Sequence, residues 1–247
     1  TSLQARNIET EFSRWELLKR AFVITSVNIA ELKLRLAPVP FRFREKPEGA
    51  RSWAEENILP DTFRLEKGSI DSLSVSYGEA GRPYVLDGTR VESAYDAGSS
   101  QYRFEMQGGR LLLPFKGCPE FSLMSGTAQF NHASRRVNVP SCRLTTAVGG
   151  YLDIKGDWDG SSSSWTANMV VNGVPASSVL EGHWKKHVQG SVSGGIDLRG
   201  GRDGVTHVAG LARLQGGMLT GLPVLDRLAL FCGSSRFRNL PLHEASA

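Results

Sequence analysis

The sequence predicts a mainly β protein: one large curved, twisted antiparallel sheet, forming an open groove or an incomplete barrel, with two or three short helices. Apolar and polar residues alternate along most of the chain, turn signals recur at short spacing, and glycine occurs 27 times in 247 residues. Alternation with a period of two is typical of strands with one wet face. Closely spaced Asp-Gly and Gly-Gly pairs favour hairpins.

Alternation in the first half of the chain places leucines on one side of two predicted strands. In "ELKLRLAP" the leucines alternate with Glu31, Lys33 and Arg35, and a second run follows in "FRLEKGSIDSLSVSYG". Gly68 interrupts the second run, which predicts a bulge or bend there. The candidate face residues are Leu32, Leu34, Leu36, Leu65, Leu73 and Val75.

The second half continues the same pattern in "QYRFEMQGG", "RRVNVPSCRL" and "SWTANMVVNG". In the middle run the apolar phase shifts from Val137 and Val139 to Cys142 and Leu144. The candidate face residues here are Phe104, Met106, Trp165, Met169 and Val171. Such a face is either the core of a closed sandwich or, in part, the lining of an open apolar groove.

Three short helices are predicted between the strands. They lie in "SRWELLKRA", in "PASSVLEGHW" and in "GLPVLDRLALFCG". In the third, Leu222, Leu225 and Leu228 fall at helical spacing, Pro223 sits early and Gly233 is a stop signal. Residues 38–60 read as a long loop with a helical turn near residues 54–57.

Composition restricts the function classes. Hydrophobic residues make up 40% and charged residues 22%, which excludes a disordered chain and a membrane bundle. The net charge of +4 is spread without a Lys/Arg run, which argues against a nucleic-acid partner. The chain has no apolar run of 18 residues that would span a bilayer as a helix.

Motifs for catalysis and metal binding are weak. In "EGHWKKHV", His183 and His187 are four residues apart, but no third ligand accompanies them, which favours exposed loop histidines. The acidic turns lack the ligand order of calcium loops, and nucleotide-loop and nucleophile motifs are missing. We expect no catalytic residue, no metal and no cofactor, hence a protein that is not an enzyme. Of Cys118, Cys142 and Cys232, the first two could form a disulfide in an oxidising compartment, which the sequence leaves open.

Residues 172–247 resemble the C-terminal region of AsmA-like proteins. The similarity lies in five parts in order: a short helix "VPASSVLEGHW", a strand "VQGSVSGGIDLRGG", a strand "VTHVAGLARLQGGML", an apolar helix "GLPVLDRLALF" and a final strand "FRNLPLHEASA". The resemblance implies a long, curved sheet with an apolar concave face. It also implies an N-terminal inner-membrane anchor, a periplasmic location in Gram-negative bacteria, and a role in phospholipid movement or outer-membrane assembly.

From this resemblance we expect residues 1–247 to be one elongated β-rich region of a longer protein, tethered to the inner membrane through regions outside this chain. The expected ligand is a phospholipid or another acyl-chain molecule, with envelope proteins as further partners. The helix of Leu222, Leu225 and Leu228 would plug the open end of the sheet, or else be an ordinary packing helix. Two alternatives are an interaction module that adds strands of outer-membrane proteins, and an enzyme or carbohydrate-binding module.

Overall fold

A computed structural model describes most of the chain. The described residues are 2–17, 21–36, 62–78, 81, 83–114, 118–180, 182, 184–202, 204–242 and 245–246. The predicted loop of residues 38–60 and the candidate ligand His183 lie outside these ranges.

The described residues contain fourteen strands, which confirms the predicted mainly β fold. The strands are β1 (Ser2–Phe12), β2 (Ala21–Leu36), β3 (Thr62–Tyr77), β4 (Tyr84–Asp96), β5 (Gln101–Gln107), β6 (Arg110–Leu112), β7 (Phe121–Asn131), β8 (Arg136–Thr146), β9 (Tyr151–Asp159), β10 (Ser164–Pro175), β11 (Val188–Gly201), β12 (Gly204–Thr220), β13 (Asn239–Leu242) and β14 (Ala245–Ser246).

All fourteen strands belong to one sheet. Its order is β1-β2-β3-β4-β5-β7-β8-β9-β10-β11-β12-β13, while β6 pairs with β4 and β7, and β14 pairs with β12. Neighbours are antiparallel except β2 and β3, which are parallel. Hairpin turns join most neighbouring strands, so nearly every strand pairs with the next one in the chain, as the closely spaced turn signals predict.

Four short helices accompany the sheet in the described residues: α1 (Arg14–Leu17), α2 (Ala176–Val179), α3 (Trp184–His187) and α4 (Pro223–Cys232), with a 3₁₀ turn at Ser235–Arg238. Helix α4 confirms its predicted signals. Pro223 opens it, and Gly233 ends it in the left-handed conformation (φ 62°) with its N–H donating to the Leu230 carbonyl. Glycine suits this position because it has no Cβ.

Two predicted irregularities have different outcomes. The phase shift in β8 is confirmed, because the register between β8 and β9 slips between Val139 and Cys142. Of the predicted bulge or bend at Gly68, the bulge is wrong, since the register between β3 and β4 slips further along, between Ile70 and Leu73, while the bend stays a prediction. The absence of a side chain at Gly68 instead makes room for Ser93 on the neighbouring strand. A Cβ at this position would lie 2.7 Å from the Ser93 hydroxyl oxygen.

Candidate functional site

Cross-strand pairing joins single apolar residues into a row across the whole sheet. The row consists of Ile8, Ile29, Ile70, Val91, Met106, Gly126, Cys142, Ile154, Met169, Ile196 and Gly210, each paired with the next. Directly opposed residues point to the same face of a sheet. The row therefore marks one apolar face that extends from β1 to β12.

Further rows on the same face flank this one. One begins at β1 with Leu3, Leu34, Val75, Leu86, Leu111 and Phe121. Another comprises Leu123, Leu144, Leu152, Val171, Gly194 and Ala212. A third, towards the hairpin ends, is rich in aromatic rings: Tyr95, Tyr102, Phe130, Val137, Trp158 and Trp165.

The structure brings most of the predicted groove residues onto this apolar face. Leu34, Val75, Met106, Trp165, Met169 and Val171 lie in the rows themselves. Leu32 pairs with Leu73, while Leu36 and Phe104 lie two positions from Leu34 and Met106 on the same side of their strands. The Cδ2 of Leu65 lies 3.6 Å from the position that a Cβ on Gly68 would occupy. Ten of these eleven side chains are half-buried and Leu36 is 37% exposed, so none is sealed in a core.

One part of the apolar face is closed. Phe121, Leu123 and Leu144 are about 4% exposed and form a core cluster, which we call the closed section. Leu113 and Cys118, from the connection between β6 and β7, pack against it together with Met106 and Ile154. The closed section therefore has cover from outside the strands.

The apolar face on β10 and β11 is open by comparison. We define the open section as Ala167, Met169, Val171, Ile196 and Leu198, all of which are half-buried. At its edge the Trp165 ring covers Gly200, where a Cβ would lie 2.4 Å from the ring. An indole packed on a glycine in a neighbouring strand leaves no room for a side chain there.

The opposite face of the sheet is polar, and hydrogen bonds and ion pairs between side chains connect its neighbouring strands. Arg143 donates through Nε and Nη2 to the two carboxylate oxygens of Asp153 at 2.7 and 2.8 Å, and Asn168 donates to Asp197 at 2.8 Å. The hydrogen bonds from Arg143 hold the pKa of Asp153 below its usual range. The Ser161 hydroxyl and backbone N–H lower the pKa of Asp159 to about 2. These carboxylates are salt-bridged or hydrogen-bonded surface groups, which is an ordinary role for a wet sheet face.

The outer strand β1 and one span of β12 expose apolar side chains. In β1, Leu3, Ile8 and Phe12 are 51–67% exposed. In β12, Val205 and Val208 are 56% and 64% exposed, and within the described residues the span 204–212 pairs with β11 alone. Exposed strand edges offer unpaired backbone groups to a further strand.

Helix α4 has one buried and one exposed apolar side. Leu225 and Ala229, four residues apart, are 7% and 5% exposed. Leu228 is 42% exposed, so the prediction that it is buried together with Leu222 and Leu225 is wrong for this residue, whereas Leu222 is half-buried. Phe231 is 91% exposed. The helical spacing identified an apolar helix, but the buried side is centred on Leu225 and Ala229.

The histidine, cysteine and acidic side chains that could act in catalysis or metal binding lie apart from one another in the described residues. The His187 Nδ1 donates to the Thr220 carbonyl at 2.7 Å, which gives this histidine a structural bond between α3 and β12. Burial raises the pKa of the Cys118 and Cys142 thiols, and these two and Cys232 are free cysteines. Within the described ranges, His, Cys, Asp and Glu side chains do not gather in threes as a metal site requires.

None of the helices in the described part of the chain is long and apolar enough to cross a bilayer. Comparison with known proteins adds no relative: no protein-family model, no curated protein and no solved structure matches the chain.

Sequence reasoning missed Ile29, Ile70 and Ile154 as members of the apolar face. A signal for Ile29 was present: the apolar phase in β2 changes from odd positions at Val27 and Ile29 to even positions at Leu32 and Leu34. In the structure the residue of β2 at this change, Ala30, lies opposite Asn7 of β1, whose φ is 52°. Neither of these two residues is paired between β1 and β2. One residue is therefore unpaired on each strand, between the pairs Arg6–Glu31 and Ile8–Ile29, at the point where the apolar phase changes.

Proposed function

We propose that this chain binds acyl chains of phospholipids along the apolar face of its sheet, as a non-enzymatic periplasmic part of an AsmA-like protein that serves outer-membrane biogenesis. The observation that carries the proposal is the eleven-strand apolar row, whose side chains are half-buried over the open section. The five-part resemblance of residues 172–247 supports the same role.

Physical chemistry supports an elongated apolar ligand. Each methylene group of an acyl chain that leaves water contributes about 0.8 kcal/mol. A chain of ten contacting methylenes would therefore gain about 8 kcal/mol before ordering costs are subtracted. Half-buried side chains such as Met169 and Val171 would lose their remaining water contact at the same time, which adds to the gain.

The two faces of the sheet fit a carrier of lipid in an aqueous compartment. The apolar face would hold the hydrocarbon, and the polar face, with pairs such as Arg143 and Asp153, would stay in water. Contiguous apolar surface that is left uncovered is typical of ligand or partner sites. Attachment to a membrane would come from regions outside this chain.

The experiment compares one substitution on each face of β10. Met169→Glu puts a charge in the open section, whereas Thr166→Glu puts the same charge on the polar face opposite Arg199. Lipid extracted from the purified protein is measured by mass spectrometry, and uptake of a fluorescent fatty acid is titrated. The proposal expects co-purified phospholipid and uptake in the parent and in Thr166→Glu, with both reduced at least tenfold in Met169→Glu. A lipid-free parent that takes up no fatty acid would refute it.

A second candidate is an interaction module that recruits unfolded outer-membrane β proteins by strand addition. The observation that favours it is the exposed apolar edge of β12, where Val205 and Val208 lie on a span paired on one side. Backbone hydrogen bonds along such an edge give affinity for an extended peptide. A proline at a position of this span whose backbone N–H points away from β11 should abolish peptide pull-down and leave the β11–β12 pairing intact if this candidate holds.

A further inference from the structure

We infer that the aromatic end of the apolar face holds a phospholipid headgroup, with Arg64 as the group that binds its phosphodiester. This inference rests on the proposed function, since the same apolar face would hold the acyl chains. The site is a cavity of about 320 Å³ beside the first residues of β3.

The cavity lies where two neighbouring strands separate. Pairing between β3 and β4 begins at Lys67, so the residues of β3 before it pair with β2 alone among the described strands. The Tyr102 side chain reaches into this gap, and its hydroxyl accepts the Leu65 N–H at 3.4 Å. Tyr95 stands beside it, with ring centroids 4.9 Å apart. The opening is thus part of the fold and is walled by aromatic rings.

Arg64 is the cation of this cavity. Its guanidinium carbon lies 5.7 Å from the centre of the Tyr95 ring, and its Nη2 donates to Glu66 at 3.2 Å. The Nε–H is buried and has no hydrogen-bond partner among the described residues. A buried donor without a partner costs free energy, and a phosphate oxygen is a strong acceptor for a guanidinium.

The other polar groups at the cavity indicate which kind of phosphate group it would accept. Ser100, His132 and Tyr95 line it and supply hydroxyl and imidazole groups that can donate to phosphate oxygens. The Glu16 carboxylate also lines it, and Glu66 already pairs with Arg64. Two nearby carboxylates disfavour a dianion, so a singly charged phosphodiester fits better than a phosphomonoester.

The cavity is continuous with the acyl-chain face. Tyr102 is adjacent to Phe104 on β5, with ring centroids 6.4 Å apart, and Met106 follows two positions later on the same side. A lipid whose phosphate meets Arg64 can therefore lay its hydrocarbon along Phe104 and Met106. Aromatic side chains suit such a boundary because they combine an apolar body with a polar tip.

The test uses two lipids with identical chains. The protein is incubated in mixed micelles of a non-ionic detergent with equal amounts of dioleoylphosphatidylglycerol and dioleoylglycerol, re-isolated, and both bound lipids are quantified. The parent protein should retain about tenfold more of the phospholipid. Arg64→Gln should reduce this ratio to about one and leave retention of dioleoylglycerol unchanged. Arg90→Gln is the matched control, because Arg90 pairs with Glu92 two residues on, as Arg64 does with Glu66, but lies on the polar face.

Each outcome discriminates. Equal retention of both lipids by the parent, or an unchanged ratio in Arg64→Gln, overturns the headgroup site while the proposed function stands. Retention of neither lipid refutes the proposed function itself. A separate arm measures inorganic phosphate by equilibrium dialysis: phosphate binding that depends on Arg64 without any preference for the phospholipid would assign the site to free phosphate and overturn the lipid source.

Discussion

The closed and open sections lie on the same face of one sheet but differ in what covers them. Leu144 in the closed section is 3% exposed, packed against Phe121 and Leu123 and covered by Leu113 and Cys118. Met169 in the open section, two strands away, is half-buried. Both strands carry alternating apolar residues, although the phase in β8 changes between Val139 and Cys142. Cover from outside the strands, rather than the apolar pattern, therefore separates the buried section of this face from the section that stays half-exposed.

The largest expected effect is on stability in the closed section. Leu144→Ala should lower the free energy of unfolding by about 2–5 kcal/mol, because it removes buried methyl groups and leaves a cavity. Met169→Ala should cost less than half as much, since its side chain retains water contact. Urea titrations followed by circular dichroism measure both. Equal losses at the two positions would show that the open section is as sealed as the closed one.

A carboxylate introduced at a buried position and one introduced at a half-buried position of the apolar face should have different kinds of effect. Leu144→Glu should unfold the protein, because an unpaired buried carboxylate is expensive. Leu34→Glu, at a half-buried position of the same face, should leave the circular dichroism spectrum of a folded sheet and abolish fatty-acid uptake. If Leu34→Glu also unfolds the chain, this part of the face is core.

Helix α4 repeats the comparison on a smaller scale. Leu225→Ala should cost about 2–3 kcal/mol, since Leu225 is 7% exposed. Phe231→Ser should change stability by about 0.5 kcal/mol or less, because Phe231 is 91% exposed. Thermal unfolding of the two variants checks the difference. A large loss in Phe231→Ser would place the packed side of the helix at Phe231 instead.

The smallest effect concerns the polar face and acid pH. The pKa of Asp159, at about 2, and the lowered pKa of Asp153 lie below the value of about 4 expected in the unfolded chain. Depressed folded-state pKa values stabilise the fold above pH 4, and this stabilisation is lost as pH falls towards 2. The urea midpoint should be flat from pH 7 to 5 and decline below 4, and Asp153→Asn should make the decline shallower. A midpoint that rises on acidification would contradict this.

The sequence allowed prediction of what a single strand determines. Alternation placed Trp165, Met169 and Val171 on one side of β10, and signals at Pro223 and Gly233 bounded α4. Register across strands could not be read, because it depends on which residues oppose each other after the chain folds. Ile70 and Ile154 therefore became face residues only in the structure. The parallel pairing of β2 with β3 was missed for the same reason.

The exposure of individual side chains was equally beyond the sequence. Helical spacing grouped Leu222, Leu225 and Leu228, yet Leu228 is 42% exposed, because the buried side depends on the neighbours that the helix meets. Likewise Phe121 and Met169 belong to similar alternating runs. Among the described residues, Leu113 and Cys118 from outside the strands pack against the cluster at Phe121.

The most direct test of the account is photo-crosslinking at two adjacent positions of β10. A photoreactive amino acid replaces Met169, on the open section, or Asn168, which donates to Asp197 on the polar face. Each protein is incubated with phospholipid vesicles, irradiated and examined by mass spectrometry for a covalent lipid adduct. We expect an adduct at position 169 and none at position 168. Adducts of equal yield at both positions, or none at 169, would contradict it.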